Sequence, residues 1–429
     1  MVQELPPDQK GQASLAFGDI IVQTRENFPD PRYRPQVFLD TPQYHVYGIN
    51  PHPHSIWVTA DGIGTKPELA ERLGESGDYS YFEGLAFDTF AMIESDEARW
   101  GRFLLGIIQI IDTNTATPEM ITALARGCKR ACDEGRFALL NGETAELGSR
   151  VSGYGRSRLN WNAVGVSLVV PDKLILGQDL SAGQPIVALR ETSIRSNGLT
   201  KARQILEAAY LQNQGFVNKQ SYLLWGLSTL RATFLEDELI KAIDEGVNVH
   251  QQFNEAIDRF NKRFGHDIVE QTLLPWHQLF PEVTSEILRP SVLYGKLINE
   301  AQGWVDGEKQ VQIIAAAHIS GGGIPEKVRR MLEMKRLGAH IDAIFPDPKG
   351  VESLLQIAQT LPNEGQHLID DRTACQQWNR GIGFVVVTKT TADAYDLIDM
   401  AKKMGYEAAV AGKILKEPKI EFRGHTWAY

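Results

Sequence analysis

Cysteine is scarce: Cys128, Cys132 and Cys375 are the only three in 429 residues. An odd, sparse set does not make a disulfide framework, and it fits a reducing compartment. An excess of basic residues is also missing. Lys and Arg total 44 against 54 Asp and Glu, the net charge is −10, and no block of Lys and Arg occurs. That balance argues against a nucleic-acid or membrane-surface partner, while leaving room for a local basic pocket. Long apolar runs are missing too. "FLLGIIQII" (103–111) is the longest, too short to span a bilayer. "MVQELPPDQK" has no basic segment followed by an apolar one, so a signal peptide is not expected and the expected location is cytoplasmic. Neither G-x-x-x-x-G-K-[ST] nor a G-x-G-x-x-G after a strand is present, which removes the P-loop and the dinucleotide fingerprint.

What remains is an ordinary globular composition, 43% apolar and 23% charged, with length for two or three domains. The first part alternates strand and helix. "SIWVTA" (55–60) reads as a strand and "PELAERL" (67–73) as a helix with Pro67 at its first position. A helical stretch covers roughly 81–96. "FLLGIIQIID" (103–112) and "FALLN" (137–141) are strands flanking a helix from Pro118 to about Gly135, and "LNWNAVGVSLVV" (159–170) is a long strand. Cys128 and Cys132 share a helix face with Ile121 and Leu124, the placement of core thiols. The turn-rich "PDKLILGQDLSAGQP" (171–185) marks the expected boundary between domains 1–170 and 171–429. Beyond it the alternation resumes, as expected of an α+β layer of ferredoxin-like type. A helical insert interrupts it at about 208–289, with stripes Leu223, Leu227, Leu230 and Phe253, Ile257, Phe260, Phe264.

The candidate chemistry lies at element ends. In "TADGIGTKPELA" (59–70), Gly62 and Gly64 let several N–H groups converge before a helix start, and Lys66 adds a charge. Asp61 would repel phosphate unless a hard cation lay between them. The same residues also suit a plain strand–helix turn with Asp61 as a local cap. Asp88 and Asp96 are eight apart on one helical stretch, and "NGETAELG" (141–148) reads as a Gly turn carrying Glu143 and Glu146. Carboxylates brought together repel, so convergence implies a metal or a shared proton. "RSNG" (195–198) and "HISGGGIPEKVRRML" (318–332) each lead from a strand into a helix, and three consecutive glycines suit close approach of a ligand to the main chain. His52 and His54 form an H-x-H in a proline-rich loop, a spacing more typical of surface than of metal ligation.

Taken in order, these motifs resemble the aminoimidazole ribonucleotide synthetase family, also called phosphoribosylformylglycinamidine cyclo-ligase. Its D-G-V-G-T-K is matched by Asp61 to Lys66, including Thr65, and its A-M-x-x-N-D by Ala91 to Asp96. Its G-G-E-T-A-E is matched by Asn141-Gly142-Glu143-Thr144-Ala145-Glu146. Its P-H-S-N-G is similar to Ile194-Arg195-Ser196-Asn197-Gly198. Its A-H-x-T-G-G-G is matched by Ala317 to Gly323, and its F-N-x-G-x-G is similar to Trp378 to Gly383. The resemblance implies a two-domain fold: an N-terminal α/β domain whose strands form a β-barrel across a homodimer, and a C-terminal ferredoxin-like α+β domain. It implies ATP and Mg²⁺ as cofactors and a small nucleotide as substrate. The implied reaction turns formylglycinamidine ribonucleotide into aminoimidazole ribonucleotide, ADP and phosphate through an iminophosphate.

By the same resemblance, Asp61, Asp96, Asp88 and Glu143 are expected to hold metal. Gly62, Gly64, Thr65, Lys66, Gly142, Thr144, Gly321, Gly322 and Gly323 are expected to hold ATP phosphates. Ser196, Asn197, Gly198 and Asn379 are expected to face substrate, and Lys66, His318 and Arg195 to serve catalysis. Arg195 stands where the family has His. Arginine does not shuttle protons near neutral pH, though it stabilises phosphate. The alternatives are a sister ATP-using enzyme acting on another small molecule, and a non-catalytic nucleotide-binding paralogue.

Overall fold

The computed structural model describes residues 24, 27, 36–40, 45–48, 55–216, 274–305, 307–361 and 368–429. His52, His54 and both apolar stripes of the insert lie outside the described residues. Two compact units are present. One comprises Met1–Lys201, Pro281–Leu355 and Ile369–Tyr429; the other comprises Ala202–Phe280 and Gln356–Leu368. Everything below on sheets and site concerns the first.

Strands β1 (Gln36–Asp40) and β2 (His45–Gly48) form an antiparallel ribbon. They are followed by β3 (Ser55–Gly62), α1 (Pro67–Leu73), α2 (Leu85–Ala98), β4 (Phe103–Thr113), α3 (Pro118–Gly135), β5 (Ala138–Glu146) and β6 (Leu159–Val169). The sheet order is β3-β6-β4-β5, with only β4 and β5 parallel. A parallel pair needs a crossover, and α3 supplies it. This helix opens on extended Thr117 with Pro118 in its first turn, and Arg136 at φ 56° ends it. Its apolar face, Met120, Ile121, Leu124, Cys128, Ala131 and Cys132, is buried, so both thiols are core residues. Helix α2 covers the inner sheet face, where Phe90 meets Trp161 and Phe137 edge-on at centroid distances of 5.9 and 5.8 Å.

The segment read as a Gly turn at 141–148 is instead mostly strand: β5 runs on through Glu146, paired residue for residue with β4. Strand pairing overrides local turn propensity here. Gly142 is needed because a Cβ there would come within 2.9 Å of the Gln109 side chain.

The second sheet is built from β7 (Pro185–Arg190), β8 (Ile313–His318), β9 (Gly338–Ile341), β10 (Ile382–Thr388), β11 (Ala408–Leu415), β12 (Lys419–Phe422) and β13 (His425–Ala428). The helices of this part of the chain are, in order, α4 (Leu199–Asn213), which lies in the second unit from Ala202 on, α5 (Pro281–Ile287), α6 (Gly295–Ala301), α7 (Gly323–Leu332), α8 (Lys349–Thr360), which passes into the second unit at Gln356, α9 (Asp371–Gln377) and α10 (Thr391–Lys403). The order is β13-β12-β9-β11-β7-β10-β8, antiparallel except for β12 with β9. Strand β10 is buried along its whole length. Val385 and Val387 join one core with Ile186, Ala188, Ile324 and Val328. Phe384 and Val386 join the other with Val187, Leu189, Leu397 and Ala401. A strand covered on both faces has no polar alternation, which is why "FVVVT" reads as an unbroken apolar run.

This topology positions the site. Strands β7 and β8 both run antiparallel to β10, so they run parallel to each other. The loop after β7 (191–198), the loop after β8 (319–322) and the loop before β10 (378–381) therefore gather at one end of the sheet.

Candidate functional site

Arg195 is the hub of that end. It sits at φ 59° with 1% exposure, a left-handed backbone that its surroundings must hold in place. Its Nη1 donates to Glu191 Oε2 at 2.8 Å and to the Val292 carbonyl at 3.2 Å. Its Nη2 reaches the Ala91 carbonyl and Ser95 Oγ, both at 3.3 Å, and His318 Nε2 at 3.0 Å. A guanidinium only donates, so Nε2 must accept and the His318 proton sits on Nδ1. Burial, then the charges of Arg195, Lys327 and Arg99, hold His318 well below the ordinary histidine range. His318 is thus a neutral ring of fixed tautomer, suited to donating a hydrogen bond from Nδ1.

Asp61 and Asp96 approach the same place from the first sheet and its covering helix. Asp61 ends β3 on the inner face, opposite Ala163, and accepts the Gly62 N–H at 2.7 Å. Its carboxyl is raised by burial and then by the charge of Asp96, with Lys327 opposing. Asp96, near the end of α2, pairs with Arg99 at 2.6 Å and lines one recess together with His318, Lys327 and Arg330. Asp61, Asp96, His318 and Arg195 are therefore grouped.

Asp88, Lys66 and Glu143 are placed otherwise. Eight residues of α helix at 1.5 Å rise put Asp88 about 12 Å along the axis from Asp96, too far to share one cation. Asp88 is fully buried and bonds Lys66 Nζ at 2.7 Å. Lys66 also donates to the Arg289 carbonyl at 2.8 Å. Burial pulls the Lys66 ammonium down and the Asp88 carboxyl up, and their pairing opposes both shifts. Asp88 Oδ1 also accepts from Ser291 Oγ, while its Oδ2 has no partner among the described residues. Lys66 thus presents no free charge to a ligand in this arrangement. Glu143 pairs with exposed Ile110 on the outer face of β5, the opposite face from Asp61. Gly142 shares a row with Asp61 through Gln109 and Ala163, at the far edge of the sheet. Three strand spacings make that roughly 14 Å. Gly142, Glu143 and Thr144 consequently do not join Asp61 within one chain.

The glycines divide in the same way. Gly322 and Gly323 have φ of 90° and 63°, and a Cβ on Gly323 would fall 2.0 Å from the Cys375 carbonyl. Gly198, at φ 74°, faces the Trp378 ring and the Gln377 carbonyl. The fold alone requires these. Gly321 is exposed, with the Asn197 side chain its only near neighbour, and Gly64 and Thr65 are exposed at the turn after β3. These backbones are open to a ligand. Ser196 and Asn197 lie against α2, reaching the Asp88 carbonyl and Met92 Sδ. Asn379 has both amide ends taken: Nδ2 donates to the Ser193 carbonyl and Oδ1 accepts the Gly381 N–H. It ties together the loops after β7 and before β10.

Sequence reading missed four residues here. Glu191 anchors Arg195; Arg99, Lys327 and Arg330 ring His318. Lys327 and Arg330 follow the triple glycine on one face of α7, an i, i+3 spacing visible in the sequence. Glu191 and Arg99 carry no local signal. Glu94, also missed, is fully buried, pushed up to about 7 by burial, and accepts the Tyr294 N–H at 3.2 Å and the Gly295 N–H. Among the described residues no cluster of three or more metal-ligating side chains occurs, and no helix is long and apolar enough to cross a membrane.

Comparison with known proteins follows the same lines. Residues 275–425 match the family model described as AIR synthase related protein, C-terminal domain. The phosphoribosylformylglycinamidine cyclo-ligase of Synechococcus sp. (strain CC9902) is 26% identical over 361 residues, covering 84% of this chain and 81% of the relative. That of Staphylococcus carnosus (strain TM300) is 27% identical over 356 residues, covering 82% and 78%. Among solved structures, thiamine-monophosphate kinase from Stenotrophomonas maltophilia K279a superposes with a TM-score of 0.52, covering 95% of this chain and 96% of that one, at 14% identity; that likeness speaks to the fold. Residues 275–425 thus match an AIR synthase-related C-terminal domain, and the chain is similar over more than four fifths of its length to phosphoribosylformylglycinamidine cyclo-ligases.

Proposed function

We propose that the protein is an ATP-dependent cyclo-ligase of purine biosynthesis, closing the imidazole ring of formylglycinamidine ribonucleotide. The observation that carries this reading is the grouping of Asp61, Asp96, Arg195 and His318, from two sheets, at the end where three loops meet. In the proposed reaction the γ-phosphoryl of ATP passes to the formyl amide oxygen and ADP leaves. An internal nitrogen then attacks that carbon, the carbon–oxygen bond breaks, and phosphate departs. Holding the two ends together supplies up to about 7–11 kcal/mol through orientation. The remainder is stabilisation of charge on phosphoryl oxygens.

Asp61 and Asp96 fit a hard cation such as Mg²⁺. Two carboxylates, one of them exposed and one half-buried, are enough for a metal that completes its shell with water and phosphate oxygens. The metal, when bound, would neutralise charge on the triphosphate. Asp88 does not fit this role, being fully buried against Lys66 and about 12 Å along α2 from Asp96, whose own partner Arg99 is partly exposed. The open backbone at Gly64, Thr65 and Gly321 supplies N–H donors for phosphates, while the Gly62 N–H is taken by Asp61. Arg195 orients His318, and Nδ1–H of His318 is available to a substrate oxygen.

A homodimer belongs to the reading. The outer face of the first sheet carries Val58 at 58% exposure and Ile110 at 43%, flanked by half-buried Ile108, Val164 and Val166. An exposed apolar sheet face of this kind suits burial against a second copy. Gly142, Glu143 and Thr144 could then reach a nucleotide only from the partner. The strand order β11-β7-β10-β8, with helices preceding β8 and β11, supports a ferredoxin-like C-terminal domain after a boundary near 170.

One observation favours a second reading, a non-catalytic nucleotide-binding paralogue: Arg195, standing where the resembling family has His, is buried, with both terminal nitrogens held by Glu191, His318 and their neighbours. The two separate on one assay. Purified protein with Mg·ATP should release ADP only when formylglycinamidine ribonucleotide is present. ATP turnover indifferent to that compound removes the ligase, and nucleotide binding without turnover favours the paralogue.

A further inference from the structure

Between the end of β8, the last turn of α2 and one face of α7 lies a recess of about 60 Å³, lined by Asp96, Arg99, Ala316, Ala317, His318, Lys327, Arg330 and Met331. A single water needs roughly 10–15 Å³ on this scale. The recess therefore has room for a group the size of a tetrahedral oxyanion. Its charges are not equally available. Arg99 is paired with Asp96 at 2.6 Å and Arg330 with Glu326 at 2.8 Å. Lys327 has no ion pair or hydrogen bond among the described residues, although it is only partly exposed to water. His318, 4% exposed, spends Nε2 on Arg195 and has no partner for Nδ1 among the described residues.

We propose that this recess is a phosphoryl subsite, with Lys327 supplying its charge and the fixed Nδ1–H of His318 its directional hydrogen bond. A lysine ammonium is a compact point charge that binds phosphate without demanding bidentate geometry. A neutral donor of locked tautomer adds orientation without a second desolvated charge. Arg99 and Arg330 are taken up by Asp96 and Glu326, which leaves Lys327 as the unpaired cation of the recess among the described residues. The subsite takes a phosphate monoester or a free phosphate, which are the ribotide's own phosphate and the transferred phosphoryl in the reading above. It rests on that reading for the identity of the ligand only, since phosphate binding requires no turnover.

The test is calorimetric titration of the full chain with inorganic phosphate and, separately, ribose 5-phosphate, on wild type, Lys327→Met and Lys327→Arg. Thermal unfolding is recorded for each, and Lys327→Gln replaces Lys327→Met if the latter does not fold. Loss of a charge-assisted hydrogen bond predicts phosphate binding weakened roughly tenfold or more in Lys327→Met, with most of it kept in Lys327→Arg. Tighter binding of ribose 5-phosphate, competitive with phosphate, assigns the recess to the monoester. Phosphate binding with ribose 5-phosphate excluded assigns it to the transferred group. Equal phosphate binding by wild type and folded Lys327→Met, or none by wild type, overturns the proposal. Failure of ribotide-dependent ADP release with phosphate binding intact overturns the ligase reading instead.

Discussion

At the residue scale the decisive feature is how buried charges are paired. Lys66 and Asp88 are both fully buried and meet at 2.7 Å. Two desolvated charges in contact contribute little to net stability, yet removing one strands the other. Lys66→Met should therefore destabilise the protein by about 3–5 kcal/mol. Adding Asp88→Asn should restore much of that loss, because no uncompensated charge remains. Thermal unfolding of the single and double variants measures this. Equal losses in both would mean that Lys66 stabilises through something other than its partner. The residue types at 61–66 read as a phosphate-and-metal pattern. The inward turn of Lys66 is not legible there, because Asp88, Arg289 and Ser291 are brought to it by tertiary packing alone.

At the scale of elements, the loops at the end of the second sheet separate glycines the chain needs from glycines a ligand would need. Gly323→Ala would force a Cβ to 2.0 Å from the Cys375 carbonyl at a φ of 63°. It should cost well over about 1 kcal/mol, through strain at a left-handed position combined with overpacking, and reduce soluble yield. Gly321→Ala should fold like wild type, since its φ is ordinary and only the Asn197 side chain lies near, while weakening nucleotide or ribotide binding. Unfolding midpoints and ligand titrations on the two variants check the split; a poorly folded Gly321→Ala would count against it. The elements themselves were largely readable. The run 103–112 became β4, with Ile107 and Ile111 buried on the inner face and Ile110 left exposed on the outer one, and α3 opened where Pro118 put its first turn. The misread segment was 141–146, where Gly and acidic residues signalled a turn and pairing with β4 made a strand. The hairpin of β12 and β13 also went unread; its four-residue strands carry too little periodicity to register.

At the scale of the whole molecule, the account joins two sheets and, in the proposed reading, two copies. Val58→Lys with Ile110→Lys places charges on the exposed apolar face of the first sheet and should convert a dimer to monomer in sedimentation, at unchanged helix content. Wild type sedimenting as a monomer at micromolar concentration would remove the dimer and, with it, any role for Gly142, Glu143 and Thr144 beside Asp61. Sequence reasoning grouped the acids of Asp61, Asp88, Asp96 and Glu143 by motif order. Geometry retains two of them together, because helix rise separates Asp88 and strand alternation turns Glu143 to the other face. The central claim is that Asp61 and Asp96 join through a divalent cation to hold a triphosphate. Calorimetric titration of ATP, with and without Mg²⁺, into wild type, Asp61→Asn and Asp96→Asn tests it most directly. The account predicts Mg²⁺-dependent binding that falls roughly tenfold or more with either substitution, on the order of one charge-assisted contact. Binding of equal strength in all three proteins, or binding indifferent to Mg²⁺, would contradict it.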